Sequence, residues 1–140
     1  MLTLDQAKII ADGAVAEGRK LNLQPLAVAV LDAGGHLLVF QREERAGILR
    51  FDIAFAKAWG SLGLGFGSRE LAARAEKMPA FFAMLSGVSA GRVAASPGGL
   101  LILNASNNVI GAVGVTGDKG DMDEKCAIAG IAKAGLAAGN

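Results

Sequence analysis

The sequence predicts an α+β domain in which helices pack on an antiparallel sheet of four or five strands. Apolar runs of β-forming residues occur in two pairs. Each pair is joined by a link too short for a parallel crossover, so each pair should form an antiparallel hairpin. The segments before, between and after these hairpins have helical spacing, and no strand–helix–strand unit requires a parallel connection.

The first helix is predicted from its start and stop signals. Thr3 and Gln6 form a capping-box pattern, in which each side chain can accept a hydrogen bond from the other residue's backbone N–H. Apolar residues then recur at helical spacing. Asn22 and Pro25 follow, so we expect the helix to end near Leu21.

The two hairpins have a similar design. The first joins residues 26–31 to residues 36–40 through an Asp-Ala-Gly-Gly turn, and the second joins residues 100–103 to residues 109–115 through an Asn-rich turn. Asx and Gly residues suit such turns because they tolerate positive φ. A fifth strand is predicted, on a weaker pattern, at residues 92–95.

Four further helices are expected from apolar spacing and breakers. One spans residues 51–64, and Ser68 then caps a second over residues 69–77. A short helix follows a proline at residues 80–85, and the last helix is predicted at residues 122–137.

Composition limits the possible functions. The chain has 140 residues and 52% apolar residues, which fits a single domain over residues 1–140. Its net charge is +1, it lacks tyrosine, and it has one tryptophan, so nothing indicates a nucleic-acid surface. The apolar content of so short a chain favours a homo-oligomer, a dimer or a larger ring, which would hide part of this surface.

Localisation is predicted from what the sequence lacks. No apolar run reaches the roughly 18 to 20 residues that a membrane span needs. The first residues have no basic segment of the kind that begins a signal peptide. Cys126 is the lone cysteine, which rules out an internal disulfide and fits a reducing, cytoplasmic compartment.

Two glycine-rich segments are candidates for ligand binding through the backbone. Pro97 precedes Gly98 and Gly99 immediately before the second hairpin, where glycine N–H groups could approach a ligand or simply form a tight turn. Gly114 and Gly117 belong to a Gly-x-x-Gly-x-x-Gly pattern, and glycine within a strand indicates a bulge or a close approach. This pattern is not the dinucleotide-binding fingerprint.

Five charged residues are candidate site residues. Lys57 lies in an apolar helix, where it is costly to bury unless it reaches solvent or meets an anion. Asp123 and Glu124 begin the last helix, either as ordinary helix-end acids or as carboxylates at the mouth of a pocket. Arg42 and Asp52 flank the connection between the first hairpin and the helix after it.

His36 is the only histidine and the candidate haem ligand, although a histidine on a half-buried strand is more often structural. One histidine and one cysteine cannot build a zinc site, and the acidic cluster lacks EF-hand spacing. No metal is therefore predicted apart from haem iron. No G-x-S-x-G elbow supports a Ser–His–Asp triad. Cys126 is interpreted as a small core residue.

Four segments, taken in order, resemble the GlcG/HbpS-like proteins over nearly the whole chain. They are VAVLDAGGHLLVF at residues 28–40, DIAFAKA at 52–58, PGG at 97–99, and GAVGVTGD at 111–118 followed by the Asp123–Glu124 pair. The resemblance implies a profilin-like fold that assembles into dimers or larger rings. It also implies a haem-binding or haem-degrading function, and relatives occur attached to corrinoid adenosyltransferases. The chain departs from the common pattern at Trp59 and Gly60, where many members carry an Arg-Thr pair.

Three functional hypotheses follow. The first is a protein that binds haem, a corrinoid or a small organic acid between Lys57, the 97–99 turn and the 114–124 segment. The second is a small enzyme acting on an organic or aromatic acid, with Lys57 and either Asp123 or Glu124 as the acid/base pair. The third is an assembly module in which Trp59 and Phe66 fill the pocket.

Overall fold

The first helix forms where its caps predict it. The computed structural model describes residues 1–140, and α1 spans Leu4–Lys20. The hydroxyl of Thr3 accepts the backbone N–H of Gln6 at 3.1 Å, and the side-chain Oε1 of Gln6 accepts the backbone N–H of Thr3 at 3.0 Å. The predicted capping box is therefore confirmed. The helix ends before Asn22, whose φ of 56° lies in the left-handed region.

The predicted α+β class is also confirmed, with five helices and five strands. After α1 the elements are β1 (Ala27–Asp32), β2 (Leu37–Arg42), α2 (Arg50–Leu64), α3 (Ser68–Lys77), α4 (Pro79–Val88), β3 (Gly99–Leu103), β4 (Val109–Thr116), α5 (Gly120–Lys133) and β5 (Ala137–Gly139). None of the helices has the length and apolar character that crossing a bilayer requires.

The five strands form one antiparallel sheet in the order β2-β1-β4-β3-β5. Both hairpins are adjacent pairs in it, as their short links predict. Helices α1 and α5 pack against each other and cover one face of the sheet, while α2 covers the other face. The main core lies between the sheet and α1 and α5, and includes Ile10, Val28, Val113 and Cys126.

The fifth strand is not where the sequence predicted it. Residues 92–95 form no strand. The last helix ends at Lys133 instead of residue 137, because Gly135 adopts a φ of 74° and turns the chain. Residues Ala137–Gly139 then pair with β3, whose outer edge would otherwise lack a partner.

The start of α3 corrects a second prediction. Its N-cap is Gly67, and Ser68 is the first helical residue. The Ser68 hydroxyl accepts the N–H of Gly99 at 2.6 Å, so it serves the start of β3 and not its own helix. Helix α4 extends to Val88, three residues past its predicted end, and the chain turns just after it at Ala90 and Gly91, whose φ values are 54° and 78°.

Candidate functional site

The buried pair Lys57–Asp123 lies at the centre of the region where the sequence predicts a pocket. The Lys57 ammonium donates hydrogen bonds to the carbonyl of Val115 at 2.9 Å and to Oδ2 of Asp123 at 3.2 Å. Oδ1 of Asp123 accepts the N–H of Asp118 at 3.0 Å. Each group thus has two partners, and the pair joins α2, β4 and α5.

Burial and mutual attraction act in opposite directions on this pair. Burial lowers the pKa of Lys57, and the nearby charge of Asp123 opposes that shift. Burial likewise raises the pKa of Asp123, and the charge of Lys57 opposes it. Arg50 also lowers the pKa of Lys57, and its guanidinium donates to the Thr116 hydroxyl at 2.8 Å. Arg50 was not predicted, because only the packing of α2 brings it near β4.

The two glycines after Pro97 lie directly against this pair. Gly98 has a φ of 127°, and a Cβ there would lie 2.8 Å from the Lys57 ammonium. A Cβ at Gly99 would overlap the Lys57 carbonyl, and one at Gly114 would overlap the carbonyl of Ala54. The close approach that these glycines allow is therefore that of α2 to the sheet.

Gly117 and Glu124 lie at the edge of the same region. Gly117 has a φ of 146° and lies against the Pro25 carbonyl, where the chain leaves β4. Both carboxylate oxygens of Glu124 accept from Nε of Arg69 at 3.1 Å. Nη2 of Arg69 also donates to Asp121, and these hydrogen bonds raise the pKa of the arginine.

The other two charged candidates lie apart from the pair. The Arg42 guanidinium, at the end of β2, donates to the carbonyl of Ala46 at 2.9 Å. Asp52 is exposed in the first turn of α2. No hydrogen bond or ion pair joins either residue to Lys57 or Asp123.

The two aromatic residues of the assembly-module hypothesis lie under arginines. The guanidinium of Arg92 stacks 4.0 Å from the Trp59 ring centroid, and that of Arg74 stacks 4.0 Å from the Phe66 ring. Trp59 also lines a small cavity of about 170 Å³ beside the β1–β2 turn.

The larger surface concavities do not reach the buried pair. The most voluminous is a groove of about 570 Å³ at the end of the sheet, within the range of small-ligand sites. Its lining is mostly apolar and contains no lysine or arginine side chain. The residues are Met1, Leu2, Asp32, Ala33, Gly34, His36, Leu38, Val109 and Ile110.

His36 lies at the edge of this groove. The prediction placed it on a half-buried strand, but it lies in the turn before β2, and its side chain is 81% exposed. Nδ1 of its ring lies 3.2 Å from Oδ1 of Asp32. An ionised carboxylate can only accept, so a hydrogen bond at this contact requires a proton on Nδ1, and in the neutral ring Nε2 then carries the lone pair.

The Asp32 carboxylate is fixed by hydrogen bonds to the backbone of the β1–β2 turn. Its Oδ1 accepts the backbone N–H groups of Gly34 at 2.9 Å and of His36 at 3.0 Å. The His36 N–H contributes most to lowering the pKa of the Asp32 carboxyl. The carboxylate is thus ionised and fixed next to the imidazole. Sequence reasoning named His36, but it treated Asp32 only as a turn residue.

These features define a small α+β protein with a ligand-sized apolar groove and a histidine at its rim. The family model described as "Haem degrading protein HbpS-like" matches residues 2–132. The chain therefore belongs to the HbpS-like family, as its motifs indicate.

Individual relatives agree with this assignment. A 15.0 kDa protein from the dhaT–dhaS intergenic region of Citrobacter freundii is 32% identical over 123 residues, which cover 87% of this chain and 84% of the relative. A double mutant of Streptomyces reticuli HbpS is 32% identical with a TM-score of 0.80, over 94% of this chain and 85% of that one. PduOC, solved as a haem complex, shares the fold with a TM-score of 0.88 at 23% identity, over 99% of each chain.

Proposed function

We propose that this protein binds haem in the groove at the end of the sheet, with Nε2 of His36 as the ligand to the iron. The observation that carries the proposal is the Asp32–His36 contact at the rim of an apolar groove. A haem site needs an apolar surface for the macrocycle and a ligand that reaches the iron. The groove supplies the first and His36 the second.

The contact between Nδ1 of His36 and Asp32 fits the role of an iron ligand. Metal-bound histidines usually donate their other ring N–H to a carboxylate or carbonyl, which fixes the tautomer and raises the basicity of the ligand. The Asp32 carboxylate stands in that position. Bound haem would supply redox and ligand-binding chemistry, while Leu38 and Ile110 would cover part of the ring and exclude water.

The groove favours haem over the other ligands that the sequence left open. A small organic acid is usually held by lysine or arginine, and the groove contains neither side chain. The peripheral amides of a corrinoid would need polar partners, which six apolar residues of nine do not offer. The family description, which names haem, also supports this choice.

The geometry gives less support to acid/base catalysis. Lys57 and Asp123 are enclosed and hydrogen-bonded to each other, and Arg69 holds Glu124. A general base needs to reach the proton that it abstracts. Such a role would require the segment around Gly98 to open.

The test is a titration of ferric haem into the wild-type protein, followed through the Soret band. We expect a shifted band that saturates near one haem per chain. His36→Gly should lose the shifted band, and added free imidazole should restore it. Ile128→Ala removes an exposed side chain on α5, outside the groove, and should bind haem as the wild type does. A wild-type spectrum equal to free haem would refute haem binding, and an unchanged His36→Gly spectrum would refute the ligand.

We also propose that the chain works as a homo-oligomer. Several large apolar side chains are exposed on the single chain, which favours self-association.

A further inference from the structure

Helix α4 is the least buried element of the molecule although it carries no charged residue. None of its ten residues is buried. Phe81, Met84 and Val88 expose 44%, 52% and 72% of their surface. A helix that is hydrophobic on all sides is normally enclosed by other elements. The single chain therefore leaves α4 without the cover that its sequence calls for.

The helix also lacks the means to stay folded alone. Isolated helices shorter than about 12 to 15 residues are marginal in water, so they depend on packing of an apolar face. The main neighbour of α4 is α3, which it follows directly, and it has no comparable contact with the sheet. A partner that covers the exposed face would supply the missing packing.

We propose that the partner is the α4 helix of a second copy of this chain, packed across a two-fold axis near Met84. Phe81, Met84 and Val88 are spaced by three and then four residues, which is the spacing of the seam between two paired helices. An isologous contact brings the same stripe from both copies together, so each copy offers what the other requires. This assignment rests on the proposed self-association and not on haem binding.

The absence of charged side chains on α4 favours a second copy of this helix over other partners. Helix α4 has no charged side chain, so two copies meet no like charges along the seam. The arginines of neighbouring α3 are paired within the chain, Arg69 with Asp121 and Glu124, and Arg74 with Glu70. A helix that lies on a membrane surface usually carries lysine or arginine on its polar face, and α4 has neither.

The exposed area suits the centre of an interface. A large side chain offers roughly 200 Å², so these three residues and the adjacent Met78 present on the order of 400 Å² per copy. That is the size of the largest apolar patch on a typical monomer, which is often functional. A specific interface buries about 1,200 Å² or more in total, so the small exposed residues beside the stripe must also take part.

Sedimentation velocity of the haem-free protein tests whether the α4 surface mediates self-association. We expect the wild type to sediment as a dimer or a multiple of a dimer of the 14.2 kDa chain. Phe81→Glu with Met84→Glu should weaken association by roughly 100-fold or more, because it places charges in the buried seam. Ile128→Glu is the matched control, since Ile128 on α5 is exposed to a similar 46%.

A cysteine variant decides the case if the charged variant fails to fold. The only native thiol, Cys126, is buried, so Met84→Cys adds the one exposed thiol. A mild oxidant should join two Met84→Cys chains through a disulfide, while Ile128→Cys should stay mostly without a covalent cross-link. A monomeric wild type would refute both self-association and the surface. An oligomeric wild type whose Phe81→Glu/Met84→Glu variant stays oligomeric, or whose Met84→Cys does not cross-link, would refute the α4 surface alone.

Discussion

One carboxylate oxygen of Asp32 is shared between the turn and the ring of His36. Oδ1 accepts two backbone N–H groups of the turn and lies 3.2 Å from Nδ1 of His36. The turn residue that shapes the first hairpin therefore also offers a hydrogen-bond acceptor to Nδ1 of the only histidine. In the proposed haem site Asp32 is a positioning residue, since it acts through His36.

Replacing Asp32 should change the tautomer population of the His36 imidazole even in the haem-free protein. In Asp32→Ala the proton on Nδ1 loses its acceptor, so we expect the fraction of the Nδ1–H tautomer to fall in ¹H–¹⁵N NMR spectra. Haem affinity should fall by about 10- to 100-fold, the usual effect of removing a partner of a metal ligand. Asp32→Asn keeps an acceptor oxygen without the charge and should be intermediate. An unchanged tautomer in Asp32→Ala would show that the contact does not hold the proton.

The buried pair predicts strong coupling between two distant positions in the chain. Lys57→Met or Asp123→Leu alone leaves an unpaired buried charge and should cost about 3 to 5 kcal/mol of the free energy of unfolding. The double variant should cost clearly less than the two single losses together, because it removes both charges. Urea denaturation of all four proteins measures this cycle, and additive losses would contradict the coupling.

Gly114 should be intolerant of a side chain for reasons of space. A Cβ at this position would overlap the carbonyl of Ala54 in α2. We expect Gly114→Ala to lower the free energy of unfolding by about 1 to 3 kcal/mol, since α2 must move off the sheet. Gly47→Ala is the control because nothing lies within 4 Å of a Cβ there. Equal stability of the two variants in urea would show that α2 does not lie this close.

Cys126 should be unreactive in the folded protein. Burial is the main cause that raises the pKa of its thiol to about 12. At pH 8 only about one thiol in 10,000 would then be ionised, and only the thiolate reacts. A thiol-specific chromogenic reagent should label Cys126 after unfolding but hardly at all before it. Ile128→Cys provides an exposed thiol for comparison, and fast labelling of native Cys126 would contradict its enclosure.

The sequence by itself determined most elements of this fold. The capping box at Thr3, the two hairpins and the helices between them all follow from local rules. Neighbouring residues decide whether a helix can be capped or a turn can close. The order of these elements was also enough to exclude a parallel sheet. The lone Cys126 was correctly assigned to the core from the spacing of its helix.

Contacts between distant segments were decided only by the tertiary structure. The glycines at 99 and 114 indicated a close approach, but local sequence does not say that the approaching group is α2. Strand β5 forms because β3 offers an edge, and its own pattern is too short to predict. Lys57 could have met solvent or an anion, and packing selected the carboxylate of Asp123. The groove beside His36 forms where the N-terminus, the β1–β2 turn and the start of β4 meet. These segments are far apart in the chain, so no local sequence pattern could predict that they line one groove.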